Sequence, residues 1–275
     1  MTRANTKPER TLAGDSMEHG NEKTCPVCGE KTEVWFGVEG LIPFRLVHRM
    51  CRCEREKREA EEAARAKRET ERKIAAYRER GLTDAQYLEC TFSADDEESG
   101  KVSQFCRKYV ENWDWARANS AGILLWGDVG GGKTFYAACI ANALIDQGIP
   151  VVMTTIPRLT ASMQRDFGSG RESVLSMVAD IPLMILDDVG TERDTEFSNE
   201  AAYEIVNERY KSRKPLVVTT NLTPVTMRGA TDATQRRIYD RLIEMCAPLK
   251  VPAKDRRKAA AQDKLNRMME QFGMR

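Results

Sequence analysis

Apolar residues gather in short runs along the second half of the chain, at 122–126, 149–155, 181–186, 215–220 and 247–251. Each run has the length of a buried strand. Between them lie stretches in which Ala, Ile and Leu recur among polar residues. Residues 135–146, 157–179 and 235–242 read as helices on this pattern, and Gln147-Gly148 is a stop signal after the first. Strands that alternate with helices predict a five-stranded parallel sheet with helices on both faces, an α/β fold in three layers.

The first half is patterned differently. Residues 1–20 lack apolar periodicity and read as a disordered tail. Val34-Trp35-Phe36 and residues 41–47 have the makings of a small hairpin. Residues 54–80 are almost wholly Glu, Arg, Lys and Ala, with Glu54/Arg58, Glu61/Arg65 and Glu69/Lys73 four apart. That predicts a long solvated helix, stabilised by ion pairs and acting as a spacer. Gly81 ends it. Val102, Phe105, Tyr109, Val110, Trp113 and Trp115 then form an aromatic stripe, best read as a helix packing on the sheet. The expected domains are a tail (1–20), a small module (21–55), a linker helix (56–82), the α/β domain (83–257) and a helical tail (258–275).

Composition narrows the class. The chain has 275 residues, 41% hydrophobic and 31% charged, with a mean hydropathy of −0.53. The longest apolar runs are strand-length and the N-terminal stretch has no apolar signal core, so no membrane partner and a cytoplasmic location are expected. The net charge of +1 conceals asymmetry: residues 84–100 carry six acids and no Lys or Arg, whereas 205–260 carry thirteen Lys or Arg against five acids. A basic half suits phosphate or nucleic acid, and equally an ordinary solvated surface.

Residues 127–134 read Gly-Asp-Val-Gly-Gly-Gly-Lys-Thr and fit G-x-x-x-x-G-K-[ST], between an expected strand and an expected helix. Glycines let such a loop curl around an anion, with N–H groups and the helix N-terminus facing it. The nucleotide-binding set is Gly127, Asp128, Val129, Gly130, Gly131, Gly132, Lys133, Thr134 and the adjoining Phe135. Lys133 would reach the β- and γ-phosphates of ATP and Thr134 would hold Mg²⁺. The run 181–188 ends in Asp187-Asp188, the Walker B pattern: Asp187 for the Mg²⁺ shell, Asp188 to orient or deprotonate water. Asn221 ends the next strand, where it could contact the γ-phosphate or simply make a turn. Cys25-Pro-Val-Cys28 and Cys51-Arg-Cys53 form two close pairs that suit a structural Zn²⁺, with His48 near enough to replace one thiolate. Cys90, Cys106, Cys139 and Cys246 read as small apolar residues.

The phosphate loop, the Asp-Asp, Thr219-Thr220-Asn221-Leu222 and Arg237-Ile-Tyr-Asp-Arg241-Leu together resemble the AAA+ ATPases of the DnaC/DnaI helicase-loader group and the related IstB-like transposition helpers. The cysteine module followed by a charged helix is similar to the DnaI type. The resemblance implies an ATPase that loads a replicative helicase hexamer onto single-stranded DNA and works as an oligomer, with an IstB-like helper as the alternative. It implies that Asn221 senses the γ-phosphate, that Arg241 is an arginine finger on a neighbouring subunit's nucleotide, and that Arg257 or Arg256 is a second sensor. It implies that the helices bearing Arg158, Arg165 and Arg171 face single-stranded DNA. A small-molecule kinase and a non-hydrolysing adaptor are the competing classes.

Overall fold

Successive residues of the central strands enter different cores. Ile123 and Leu125 face one apolar cluster and Leu124 the other; Val217 faces the first, Leu216 and Val218 the second. That alternation is the period-two geometry of a strand buried on both faces. The computed structural model describes residues 23–38, 40–82, 84–96, 100–165, 170–190, 196–252 and 256–274. The side chains at 165, 196, 256–261 and 263 lie outside the described set, and so does the expected disordered tail. The chain forms two compact units that divide between Glu69 and Thr70.

In the first unit, β1 (Glu33–Val38) and β2 (Ile42–His48) pair antiparallel, with Trp35 opposite Leu46 and Val34 opposite Val47. This is the expected hairpin. Gly37 carries no side chain because the Phe44 ring lies over it: a Cβ there would sit 2.6 Å from the ring. Helix α1 (Arg52–Gly81) starts in this unit and is exposed along nearly all its length. Arg58 Nε donates to Glu62 at 2.8 Å, and Lys57 pairs with Glu61 at 3.9 Å. Glu54, expected to pair with Arg58, instead lies 3.2 Å from His48 Nε2.

In the second unit, α1 ends where Gly81 meets the sheet; a Cβ would lie 2.0 Å from the Val151 carbonyl oxygen, so no larger residue fits. Leu82 then bridges in parallel to Met153 and covers the sheet edge. Next come α2 (Ala85–Leu88), a 3₁₀ turn at Phe92–Ala94, α3 (Lys101–Glu111) and α4 (Trp113–Ala118). Val102, Tyr109, Val110 and Trp113 are buried as the stripe predicts, but Phe105 and Trp115 are 41% and 63% exposed. Trp115 is only two residues beyond Trp113, which turns it toward the opposite side of the helix.

The sheet elements follow as β3 (Gly122–Trp126), α5 (Lys133–Asp146), β4 (Val151–Thr154), α6 (Ile156–Arg165), α7 (Gly170–Asp180) and β5 (Leu183–Val189). Then come α8 (Glu196–Ser212), β6 (Leu216–Thr220), α9 (Pro224–Arg228), α10 (Ala233–Met245), β7 (Cys246–Lys250) and α11 (Arg256–Gln271). The strands are parallel in the order β4-β5-β6-β3-β7. The five predicted strands thus stand, in a sheet whose middle is β6 with β3 and β5 beside it. Helix α8 was not anticipated. Its inner face, Ala201, Ala202, Ile205 and Val206, ends in Arg209. That arginine is fully buried and donates to the carbonyls of Val178, Ile181, Pro182 and Pro215. It closes the last turn of α7 and ties the starts of β5 and β6 together. Burial pulls its guanidinium down to about 10. Cys106, Cys139 and Cys246 are buried, as read, and burial raises each thiol.

Candidate functional site

The adjacent strand ends of β3, β5 and β6 carry the polar residues that the apolar runs stop at. Gly127 and Gly130 take φ of +147° and +86°, and Gly132, which caps α5, takes +94°. A Cβ on Gly127 would also lie 2.4 Å from the Val251 carbonyl oxygen. The loop therefore needs glycine for both its turn and its closeness to the chain after β7. Lys133 is 7% exposed, and its ammonium donates to the Gly127 and Asp128 carbonyls at 2.9 and 2.8 Å and to Asn221 Oδ1 at 2.8 Å. Asn221 Nδ2 in turn donates to Asp188 Oδ1 at 3.2 Å.

Asp187 and Asp188 are neighbours with different surroundings. The register of β5 against β6 shifts between Leu186 and Val189, and Asp188 takes a left-handed φ of +56°. The bulge buries Asp187 and turns Asp188 outward. The Asp188 N–H donates to Thr219 Oγ1 at 2.8 Å, and that hydroxyl donates to Asp187 Oδ1 at 2.6 Å. Thr134 Oγ1 also donates to Asp187 Oδ1, at 2.9 Å, and Tyr87 OH donates to Oδ2 at 3.2 Å. Burial and the Asp187 carboxylate push the Tyr87 phenol above its usual range. A 7%-exposed carboxylate whose described partners are three hydroxyls is suited to a divalent cation.

Gly130, Gly132, Lys133, Thr134, Asp187, Asp188, Thr219, Asn221 and Tyr87 line one cavity of about 550 Å³, with Val129, Phe135, Gln86 and Cys90 on its walls, a volume usual for small-molecule sites; Gly127, Asp128 and Gly131 of the predicted set are not among its lining residues. Thr219, Tyr87, Gln86 and Cys90 carried no site role in the sequence reading. Tyr87 stands among other apolar residues after Gly81, and only its approach to Asp187, 100 residues on, gives it one.

Residues 56–263 match the family described as IstB-like ATP binding protein. The chain belongs to this family. Over 139 residues it is 28% identical to the replicative helicase loader DnaC of Escherichia coli (strain K12), covering 50% of this chain and 54% of that protein. Over 167 residues it is 25% identical to the replicative helicase loader DnaI of Bacillus subtilis (strain 168), covering 57% and 52%. The chain thus spans about half the length of these curated relatives. Among solved structures, a DnaC helicase loader overlays with a TM-score of 0.52 at 22% identity, over 62% of this chain and all of that one. A DnaI structure overlays with a TM-score of 0.52 at 20% identity, over 63% and 93%. The fold is the AAA+ phosphate-loop core.

Outside the cavity, this IstB-like chain carries four further predicted features. Cys25, Cys28, Cys51 and Cys53 come together, with their sulfurs all within 4.8 Å of one another. The turn from Cys25 to Gly29 forms the first pair: Gly29 N–H donates to the Cys25 carbonyl at 2.9 Å, with φ of +72° at Gly29. The start of α1 forms the second, Cys51 preceding the helix and Cys53 in its first turn. A tetrahedral thiolate shell puts sulfurs about 3.8 Å apart, so small movements would close it on Zn²⁺. The Glu30 backbone N–H holds Cys28 down at about 6, and the hydrogen bond with Cys28 raises Cys53 to about 11. His48 is not in this group.

Arg241 lies on α10 between the rings of Tyr203 and Tyr210, 4.6 and 5.5 Å from their centroids, and is not among the residues lining the cavity. Arg158 pairs with Asp84 at 2.7 Å and Arg171 with Glu204. The side chains of Arg165, Arg256 and Arg257 lie outside the described set.

Proposed function

We propose that this protein is an ATP-dependent loader of a replicative DNA helicase onto single-stranded DNA, hydrolysing ATP within an oligomer. The observation that carries the enzymatic part is the continuous chain of contacts from Thr134 through Asp187 and Thr219 to Asp188, Asn221 and Lys133 around one cavity. Lys133 would exchange its loop carbonyls for the phosphates. Asp188 and Asn221, joined to each other and lining the cavity, would hold the attacking water, and Asp188 would accept its proton. Thr134 and Asp187 would hold Mg²⁺, which screens the phosphate charge when bound. Phosphoryl transfer also calls for a cation on the charge that develops in the transition state, supplied from the same chain or from a partner. Arg241, away from its own cavity, suits a neighbour's site. Kinship with DnaC and DnaI supports the helicase as partner, and the four-cysteine module supports a Zn²⁺-stabilised unit.

Two measurements test the reading. Hydrolysis per chain should rise with protein concentration, and the protein should co-purify with a replicative helicase in ATP but not without it. Mixed 1:1, Lys133→Ala and Arg241→Ala chains, each inactive alone, should recover about a quarter of the activity, the share of head-to-tail contacts that join an intact loop to an intact arginine. Concentration-independent turnover, or a mixture that assembles and stays inactive, would remove the trans-acting arginine. Failure to retain a helicase while retaining a transposase would favour the transposition-helper reading.

A further inference from the structure

Tyr203 and Tyr210 lie seven residues apart on α8, so two helical turns bring them to one face, about 10 Å apart along the axis. Arg241 from α10 enters between them with its guanidinium carbon 4.6 and 5.5 Å from the ring centroids. Aromatic faces hold a guanidinium through its plane and leave its N–H edge unused. A carboxylate does the opposite: it occupies the fork that would meet phosphate oxygens. Glu244 lies one turn along α10 from Arg241, at the spacing where helix ion pairs form. Its Oε1 is instead taken by the Tyr210 hydroxyl at 2.9 Å. Nη1 of Arg241 is shielded from solvent and has no hydrogen-bond partner among the described residues.

We propose that Tyr203 and Tyr210 are positioning residues for Arg241: the two rings fix its guanidinium, and the Tyr210 hydroxyl sequesters Glu244 so that Arg241, half-buried with Nη1 turned inward, keeps its remaining donors for a neighbouring subunit's nucleotide. This rests on the trans-acting reading of Arg241. The Tyr210 phenol does two jobs in one side chain, ring to the cation and hydroxyl to the competing anion. Removing only the hydroxyl frees Glu244 to capture the arginine. Removing the carboxylate as well removes the competitor, and the ring alone then suffices.

Steady-state ATP hydrolysis by the full chain tests this. Tyr210→Phe should lower kcat about fivefold, the population shift expected of one partly exposed ion pair, with KM for ATP and nucleotide affinity unchanged. Tyr210→Phe/Glu244→Gln should return kcat to the wild-type value, which a packing defect would not do. Tyr203→Leu should lower kcat without this rescue. In mixtures, Tyr210→Phe should slow hydrolysis only when carried by the chain that donates the arginine, the Lys133→Ala chain. Wild-type kcat in Tyr210→Phe, or no rescue by Glu244→Gln, overturns the proposal while leaving Arg241 in its role. Full activity in Arg241→Ala overturns both.

Discussion

Asn221 accepts a hydrogen bond from the Lys133 ammonium at 2.8 Å, so the end of β6 and the start of α5 meet through one atom pair. The same amide donates to Asp188. One side chain thereby links the group suited to bind phosphate with the group suited to handle water. Asn221→Ala should leave ATP affinity within a few-fold and lower hydrolysis by about a hundredfold or more, the usual effect of losing one oriented polar group at a reaction centre. Paired measurements of nucleotide binding and phosphate release check this; equal loss in both would mean that Asn221 only shapes the loop.

Lys133 and Asp188 should separate along the same line. Lys133→Ala removes a charged donor and should weaken ATP binding by about ten- to a hundredfold, the range for hydrogen bonds to charged groups, and should abolish turnover as well, because the cation is also lost from the transferring phosphoryl group. Asp188→Asn should keep binding and cut turnover by about 10²–10⁴, since an amide cannot take the proton from water. Titration with a fluorescent nucleotide, followed by single-turnover hydrolysis, distinguishes the two.

Much of this site is legible in the sequence because each of its parts is a local pattern: a glycine loop before a helix, an Asp pair and an Asn at the ends of apolar runs. Tyr87 and Thr219 are not legible in that way. Each acts through one hydroxyl on a carboxylate far along the chain, and nothing near either residue signals that contact. Helix α8 was legible in principle, since Ala201, Ala202, Ile205 and Val206 have helical spacing. Its buried face then ends in an arginine whose described partners are backbone carbonyls, a role that no pairing rule for charged residues suggests. The i,i+4 pattern of α1 predicted the helix correctly, but Glu54 meets His48 and Glu61 meets Lys57 rather than Arg58 and Arg65, because exposed pairs differ by little in energy.

Arg209 yields a prediction about stability. Arg209→Met fills similar volume but leaves four carbonyls without their donor. At about 1–3 kcal/mol for each buried group left unsatisfied, with some recovered by water, a loss of about 3–5 kcal/mol is expected. Urea unfolding at pH 7 should show a lower midpoint with the slope unchanged, the midpoint shift multiplied by the slope giving a loss of that size.

The cysteine cluster predicts about one equivalent of zinc in the purified chain. Cys25→Ser with Cys28→Ser should abolish it. Because the hairpin unit is small, loss of metal should unfold that unit while ATP binding in the second unit stays within a few-fold. Zinc retained in full by the double variant would exclude these ligands.

Arg158 and Arg171 give the sharpest test of DNA contact, because the structure assigns each a carboxylate partner. Arg158 meets Asp84 and Arg171 meets Glu204, with the arginine side chains about half exposed. An exposed pair of this kind contributes little, so a phosphate could displace the carboxylate. If these arginines bind single-stranded DNA, Arg158→Ala with Arg171→Ala should weaken it and reduce the slope of log affinity against log salt by about 1.4, two contacts at ~0.7 each. Asp84→Asn with Glu204→Gln should act in the opposite direction, releasing both arginines and tightening binding at low salt, where the phosphate term is largest. Truncation alone cannot separate a lost contact from a disturbed fold; the two carboxylate changes can, since they remove the same ion pairs while keeping the cations. Fluorescence anisotropy with a labelled oligonucleotide across a salt series measures both. Weaker binding in the first pair and tighter binding in the second would assign the arginines to DNA. Weaker binding in both would mean that the ion pairs support the structure, and an unchanged slope in both would return the arginines to an ordinary solvated surface.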